Sequence, residues 1–291
     1  ETTNYSAIAY GTNVEYGNSF DTMGAAAAGR NHFNANFKSL LHWLPDAAVQ
    51  TVTGSGRCRI FPFDTARRVD GCVYAARVRK DFERDYWVEY RERFASNPWL
   101  THGVLLNWSA WAQSSGGTDL LDTTPGSPDG KNDAAVVIGR TFSDYPAGVH
   151  ITPVALGATG TNRWIEVQIH SGFFPSNRPP KLKLFASPTN AAPGELVHFQ
   201  AEASDPDGDE LAYAWFGTSY DTDDPSVFST NNLPWTYRTW STSGARVIRC
   251  VVSDMKGGVA SSNVVVTVGT PAGFTVSGRI TDPGGRPLEG V

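Results

Sequence analysis

Cysteine is scarce in this chain, with three in 291 residues, which excludes a disulfide-dense scaffold. Charge of one sign is not in excess: the net charge is −5 and basic residues do not cluster, which argues against a nucleic-acid partner. No apolar run approaches the length of a membrane span, so no transmembrane segment is expected. The helical zinc-ligand pattern His-Glu-x-x-His is missing. None of the six histidines stands four residues from another, so no helix here presents two metal ligands on one face. Neither an initiator methionine nor a signal peptide is visible. Glu1 begins in mid-pattern and Val291 stops as a strand-and-turn pattern starts, so both ends read as cut.

What is present points to a mainly β chain. Twenty-nine glycines and 18 prolines favour many turns, and 12% aromatic residues are ample for packed cores. The length implies two or three domains. Residues 30–44 read as a helix, because Phe33, Phe37, Leu40, Leu41 and Leu44 share one face and Pro45 stops it. From about residue 50 the period changes to two. Segments 51–53, 57–63, 73–78, 85–90, 103–108, 134–139, 149–154 and 164–170 read as strands separated by Gly/Pro turns, a sandwich or barrel. The run from Phe174 to Pro180 is a linker by composition. Beyond it, Val197, Phe199 and Ala201 alternate inward. So do Leu211, Tyr213 and Trp215, then Ile248, Cys250 and Val252, and lastly Val264, Val266 and Val268. About seven strands with an early buried Trp suggest an immunoglobulin-like sandwich.

Cys58 and Cys72 bracket a strand–turn–strand segment. A disulfide there would contribute about 3 kcal/mol if unstrained; the alternative is two separate buried thiols. Cys250 belongs to an apolar strand face and is expected to pack.

Near the N-terminus stands Tyr16-Gly17-Asn18-Ser19-Phe20-Asp21-Thr22-Met23-Gly24, followed by Arg30-Asn31-His32-Phe33-Asn34. This run resembles the Met-turn region of gametolysin-like zinc metalloproteases, a branch of the metzincins. The resemblance implies that Asp21, Met23 and Gly24 form a tight turn under a metal. It places His32 near an active-site cleft or bonded to the Met-turn backbone. The zinc-binding helix would precede Glu1, so no catalytic residue is expected in this chain and any zinc ligand lies outside it. Asp119 to Ser127, with Asp133-Ala134-Ala135 and Gly139 to Phe142, resembles the β-domain that follows the catalytic domain in these proteases. Its acids read as turn residues rather than a catalytic pair.

Ser204-Asp205-Pro206-Asp207-Gly208-Asp209-Glu210 leads into Leu211 to Trp215, and Val252-Ser253-Asp254-Met255-Lys256-Gly257-Gly258 follows later. Together they resemble a polycystic-kidney-disease (PKD) domain. The resemblance implies a calcium site at Asn177, Asp205, Asp207 and Asp254, carboxylate and amide oxygens suiting a hard cation. The alternative is an acidic turn capped by its own backbone. Phe228, Trp235, Tyr237 and Trp240 follow, and they either bind polysaccharide or a collagen-like substrate or simply pack a long loop. Phe274 to Asp282 with Pro283-Gly284-Gly285 resembles the first hairpin of a carboxypeptidase-regulatory-like module.

The expected organisation is therefore the C-terminal part of a metalloprotease catalytic domain at 1–50, a β-sandwich at 51–174, a PKD-like immunoglobulin-fold domain at 175–270 and a truncated β-module at 271–291. The expected function is that of a fragment of a secreted, monomeric zinc endopeptidase, itself inactive, whose β-modules bind a protein, extracellular-matrix or polysaccharide substrate or a cell surface. The alternative is a non-catalytic adhesion or carbohydrate-binding protein on a degenerate protease scaffold.

Overall fold

The computed structural model describes residues 7–8, 14–24, 32–65, 69–93, 96–110, 117–157, 163–219, 222–224 and 231–269. The module expected at 271–291 and Phe228 lie outside them. Eighteen short strands, two short α-helices and two 3-10 turns make up the regular structure of the described residues.

The first sandwich holds β1 (Val49–Val52), β2 (Gly56–Ile60), β3 (Ala75–Arg79), β4 (Arg84–Glu89), β5 (Gly103–Ala110), β6 (Thr118–Leu120), β7 (Val136–Val137), β8 (Phe142–Asp144), β9 (Val149–Gly157) and β10 (Trp164–Ser171). One sheet runs β1-β3-β4-β5-β6, with β7 pairing β5; the other runs β2-β10-β9-β8. Their inner faces share one core, in which Ile60, Val78, Tyr86, Leu106, Ile151 and Val167 are all nearly sealed from solvent. Seven of the eight expected strands recur within a few residues of their positions; only 134–139 is mostly a turn, with two residues in β7.

The second sandwich holds β11 (Lys181–Ser187), β12 (Asn190–Ala191), β13 (Val197–Ser204), β14 (Ala212–Ser219), β15 (Thr222–Asp224), β16 (Trp235–Arg238), β17 (Gly244–Ser253) and β18 (Val259–Val268). Its sheets run β11-β13-β16 and β12-β18-β17-β14-β15. Val197, Phe199 and Ala201 meet Trp215, Ile248, Cys250 and Val252 between them, as the alternation requires. The Trp215 indole donates to the Leu233 carbonyl at 2.9 Å, which satisfies its one polar atom in the core.

Two expectations are corrected. The helix spans Ala35–Leu40 only (α1), capped by the Asn34 side chain. His42 takes φ +55, which ends the helix early, and Leu44 reaches the core through the turn that follows while Leu40 and Leu41 stay exposed. Cys58 and Cys72 are free thiols. Cys58 is buried between the sheets of the first sandwich, whereas Cys72 packs with Tyr74 and Phe63 in another cluster, so the two side chains serve different cores. Burial pushes the Cys58 thiol up to about 12, leaving it inert. Cys250 packs as expected.

The composition-based linker is not loose. Strand β14 is apolar on both faces: Trp215 enters the second core, while Ala214 and Phe216 turn outward and are equally buried. They meet Phe20, Trp99, Leu100, Leu105, Ala135 and Val137 of the preceding part of the chain. Polar contacts extend this seam. Thr141 Oγ1 lies 2.8 Å from Thr152 Oγ1 and 2.7 Å from Ser253 Oγ. His170 Nδ1 donates to the Met255 carbonyl at 2.9 Å, and Tyr145 to the Gly257 carbonyl at 2.8 Å.

Candidate functional site at the seam between the sandwiches

Two places that the sequence singles out converge on this seam, and the structure adds a third. The first is the Met-turn-like segment. Asp21 is buried, and its carboxylate accepts from the Met23 and Asn34 backbone amides at 2.8 and 2.9 Å. Gly24 closes the turn on Asp21, and a Cβ there would sit 1.9 Å from the Asn18 carbonyl oxygen, so only glycine fits. Met23 itself points outward, 55% exposed. Arg91, fully buried against Glu89 at 2.7 Å, donates to the Phe20 and His32 carbonyls and pins both flanks of the segment. His32 does not bond the turn backbone with its ring; the ring stands edge-on to Phe63 and 3.5 Å from Lys38 Nζ. Burial first, then the Lys38 and Arg91 charges, lower its pKa to about 4.

The second is the acidic turn. The structure bonds the four residues proposed for calcium as two pairs, Asn177 with Asp254 and Asp205 with Asp207. Asn177 donates to Asp254 at 2.7 Å, and Asp254 also accepts from the Lys256 and Gly258 amides. Asp205 accepts from the Asp207 and Asp209 amides, which leaves its other carboxylate oxygen buried without a partner. That orphan suits a cation, but the rest of the arrangement does not. Asp207 is held by Arg178 through the guanidinium at 2.7 Å, and Asp209 bonds the Lys256 ammonium. Among the described residues no group of three acidic, histidine or cysteine side chains is placed to hold a metal. The residues do not fit a calcium ion as arranged, because two side-chain cations already balance the acids. Asp122 and Asp133 are turn residues as expected, bonded to Thr124 and Ser127.

The third place was not visible in the sequence. Where the linker crosses the seam, a cleft of about 430 Å³ opens, lined by Tyr145, His150, Phe173, Phe174, Asn177 and Lys256 among others. Phe173 is 72% exposed at its mouth. Phe174 is wedged between His150 and His170, with ring centroids at 5.6 and 6.5 Å, and Lys256 Nζ sits 5.4 Å over it. His150 Nδ1 is 2.9 Å from Ser143 Oγ, and burial followed by the neighbouring His170 lowers its pKa. Three rings with a few convergent polar groups at a domain junction make a pocket suited to holding a ligand. The only prior signal was composition: two adjacent phenylalanines in a segment otherwise made of linker residues.

No protein-family model and no curated protein matches the chain. Solved structures similar to parts of it include one described as a carbohydrate-binding module of the β-sandwich superfamily, at 27% identity over 34% of this chain and TM-score 0.27. This chain spans 38% of that structure's length. They also include the PKD domain of an M14-like peptidase from a Thermoplasmatales archaeon, at 22% identity over 33% of this chain and all of that one, TM-score 0.26. A third is the PKD1 domain of Vibrio anguillarum Epp, at 20% identity over 33% of this chain and all of that one, TM-score 0.24. Superpositions this loose carry no functional argument. Among the described residues no helix is long and apolar enough to cross a membrane.

Proposed function

We propose that this chain is the binding, non-catalytic part of a secreted or cell-surface protein, and that it holds a polysaccharide or protein substrate in the cleft between its two sandwiches. The observation that carries this is the cleft itself. Its walls come from both sandwiches and from the linker, and the seam around it is packed, so a ligand meets a preformed site and little ordering cost. Phe173 is the contact to remove, since it stands in solvent and supports no core. Pull-down on cellulose, chitin, xylan and gelatin, repeated with Phe173→Ala, tests the proposal. Retention of the parent chain on at least one matrix, weakened in the variant, is the expected result. Equal retention of both chains on every matrix, or none by the parent, sinks it.

A second reading makes the chain part of a zinc-dependent endopeptidase whose metal ligands lie elsewhere in the full-length protein. It is favoured by one observation: the Asp21–Gly24 turn is locked by a buried carboxylate yet presents Met23 to solvent, as a turn would that floors another body. Under it, the full-length protein degrades casein and loses that activity to a zinc chelator. Caseinolysis indifferent to chelation, or none, rejects it.

A further inference from the structure

The outer face of the three-stranded sheet β11-β13-β16 is aromatic where a sheet exposed to water is ordinarily polar. β13 directs Val197, Phe199 and Ala201 into the core and His198 and Gln200 outward. Register extends this outward set across the sheet. Phe185 stands opposite Gln200, and Gln200 opposite Trp235; Ser187 stands opposite His198, and His198 opposite Tyr237. Two rows result, each three residues wide. Phe185, Trp235 and Tyr237 are 48%, 40% and 45% exposed, while Thr236 between the last two is buried. The alternation is intact, so the exposed rings are not the product of a slipped strand. They leave apolar area in water that an inward orientation would bury.

The rings are not scattered. Tyr237 stacks on His198 with centroids 4.7 Å apart at 32°, and Trp235 lies 5.5 Å from Tyr237 at 63°. The spacing is close to the length of one pyranose unit, and the two planes meet edge to face rather than in parallel. The two rows carry no fixed charge; Lys183 and Glu202 oppose each other in the row beyond. Among the described residues of these two rows an anionic or cationic ligand finds no partner. A polyol with apolar C–H faces finds rings for those faces, and an imidazole, an amide and a hydroxyl for its own hydroxyls. Gln200 is oriented by its donation to the Ala201 carbonyl at 3.2 Å.

We propose that this face binds a neutral polysaccharide of equatorially linked pyranose units, with Trp235 and Tyr237 stacking on successive sugars and His198 and Gln200 bonding their hydroxyls. It shares no residue with the cleft, so the two surfaces stand or fall separately. The test is titration of the chain with cellohexaose, xylohexaose and chitohexaose, read by tryptophan fluorescence and by calorimetry, alongside Trp235→Ala, Tyr237→Ala and Gln200→Ala. Binding of at least one oligosaccharide is expected. Affinity should fall about tenfold or more in Trp235→Ala, the scale of one lost stacking partner. All three substitutions are at exposed or half-exposed positions outside the cleft, and an unchanged melting temperature certifies each fold. Parent affinity in both Trp235→Ala and Tyr237→Ala overturns the proposal, as does the absence of binding to all three oligosaccharides and to their insoluble polymers.

Discussion

Gly139 of the first sandwich rests on the Tyr213 backbone of the second: a Cβ at Gly139 would lie 2.0 Å from the Tyr213 carbonyl oxygen. Gly139 also takes φ +84, a conformation that disfavours any side chain. Gly139→Ala is therefore expected to destabilise the chain by about 2–4 kcal/mol, combining backbone strain with overpacking. Urea unfolding measures it; a loss under about 0.5 kcal/mol would show that the sandwiches do not meet at this point.

Arg91 and Glu89 form an ion pair sealed from water, and Arg91 also satisfies two carbonyls of the N-terminal segment. Arg91→Ala strands a buried carboxylate and should cost about 3–5 kcal/mol. The double variant Arg91→Leu/Glu89→Leu should recover part of that loss, because it removes the unpaired charge. Thermal melts of the three chains decide, and a double variant no better than Arg91→Ala contradicts the pairing.

His32 carries a pH dependence of defined sign. Its folded pKa is lowered from 6.5 to about 4, so the unfolded chain takes up the proton first as the solution acidifies. Its contribution is complete above pH 6.5 and is lost as the pH falls toward 4. His32→Gln should flatten the fall in melting temperature between pH 7 and pH 4.5, and identical slopes in the two chains would remove His32 from the account.

The acidic turn should be indifferent to calcium. Arg178 and Lys256 already balance Asp207 and Asp209, so melts in EDTA and in millimolar calcium are expected to coincide. Lys256→Gln removes the internal cation that balances Asp209, whose backbone amide bonds Asp205. In that variant a calcium-dependent rise should appear. A rise in the parent chain would instead mean that the ion displaces the lysine.

Much of the β architecture was legible from residue order. Val197, Phe199 and Ala201 alternate, and they are buried as that period requires. The helix was misjudged because Phe33, Leu40 and Leu41 carry the right spacing, whereas Asn34 and His42 set its ends through capping and a left-handed turn. The seam left a trace that periodicity alone conceals. Leu211-Ala212-Tyr213-Ala214-Trp215-Phe216 is an unbroken apolar run, the signature of a strand covered on both faces. Its second partner, however, is built from Phe20, Trp99 and Leu105, far away in the chain, and no local pattern names them. The acidic cluster was foreseen by residue type, but its neutralisation by Arg178 and Lys256 depends on where two long side chains end. The pairing of Trp235 with Tyr237 was within reach of sequence, since residues two apart in a strand share a face.

The two-sided burial of β14 bears on how this chain can be cut and inherited. A segment taken from residue 175 onward would carry Ala214, Phe216 and Val251 into water as a bare greasy strip, so it should aggregate where the joined pair stays dispersed. The second sandwich is thus no interchangeable bead to be spliced between unrelated proteins. The unit that recombination can move intact is the pair.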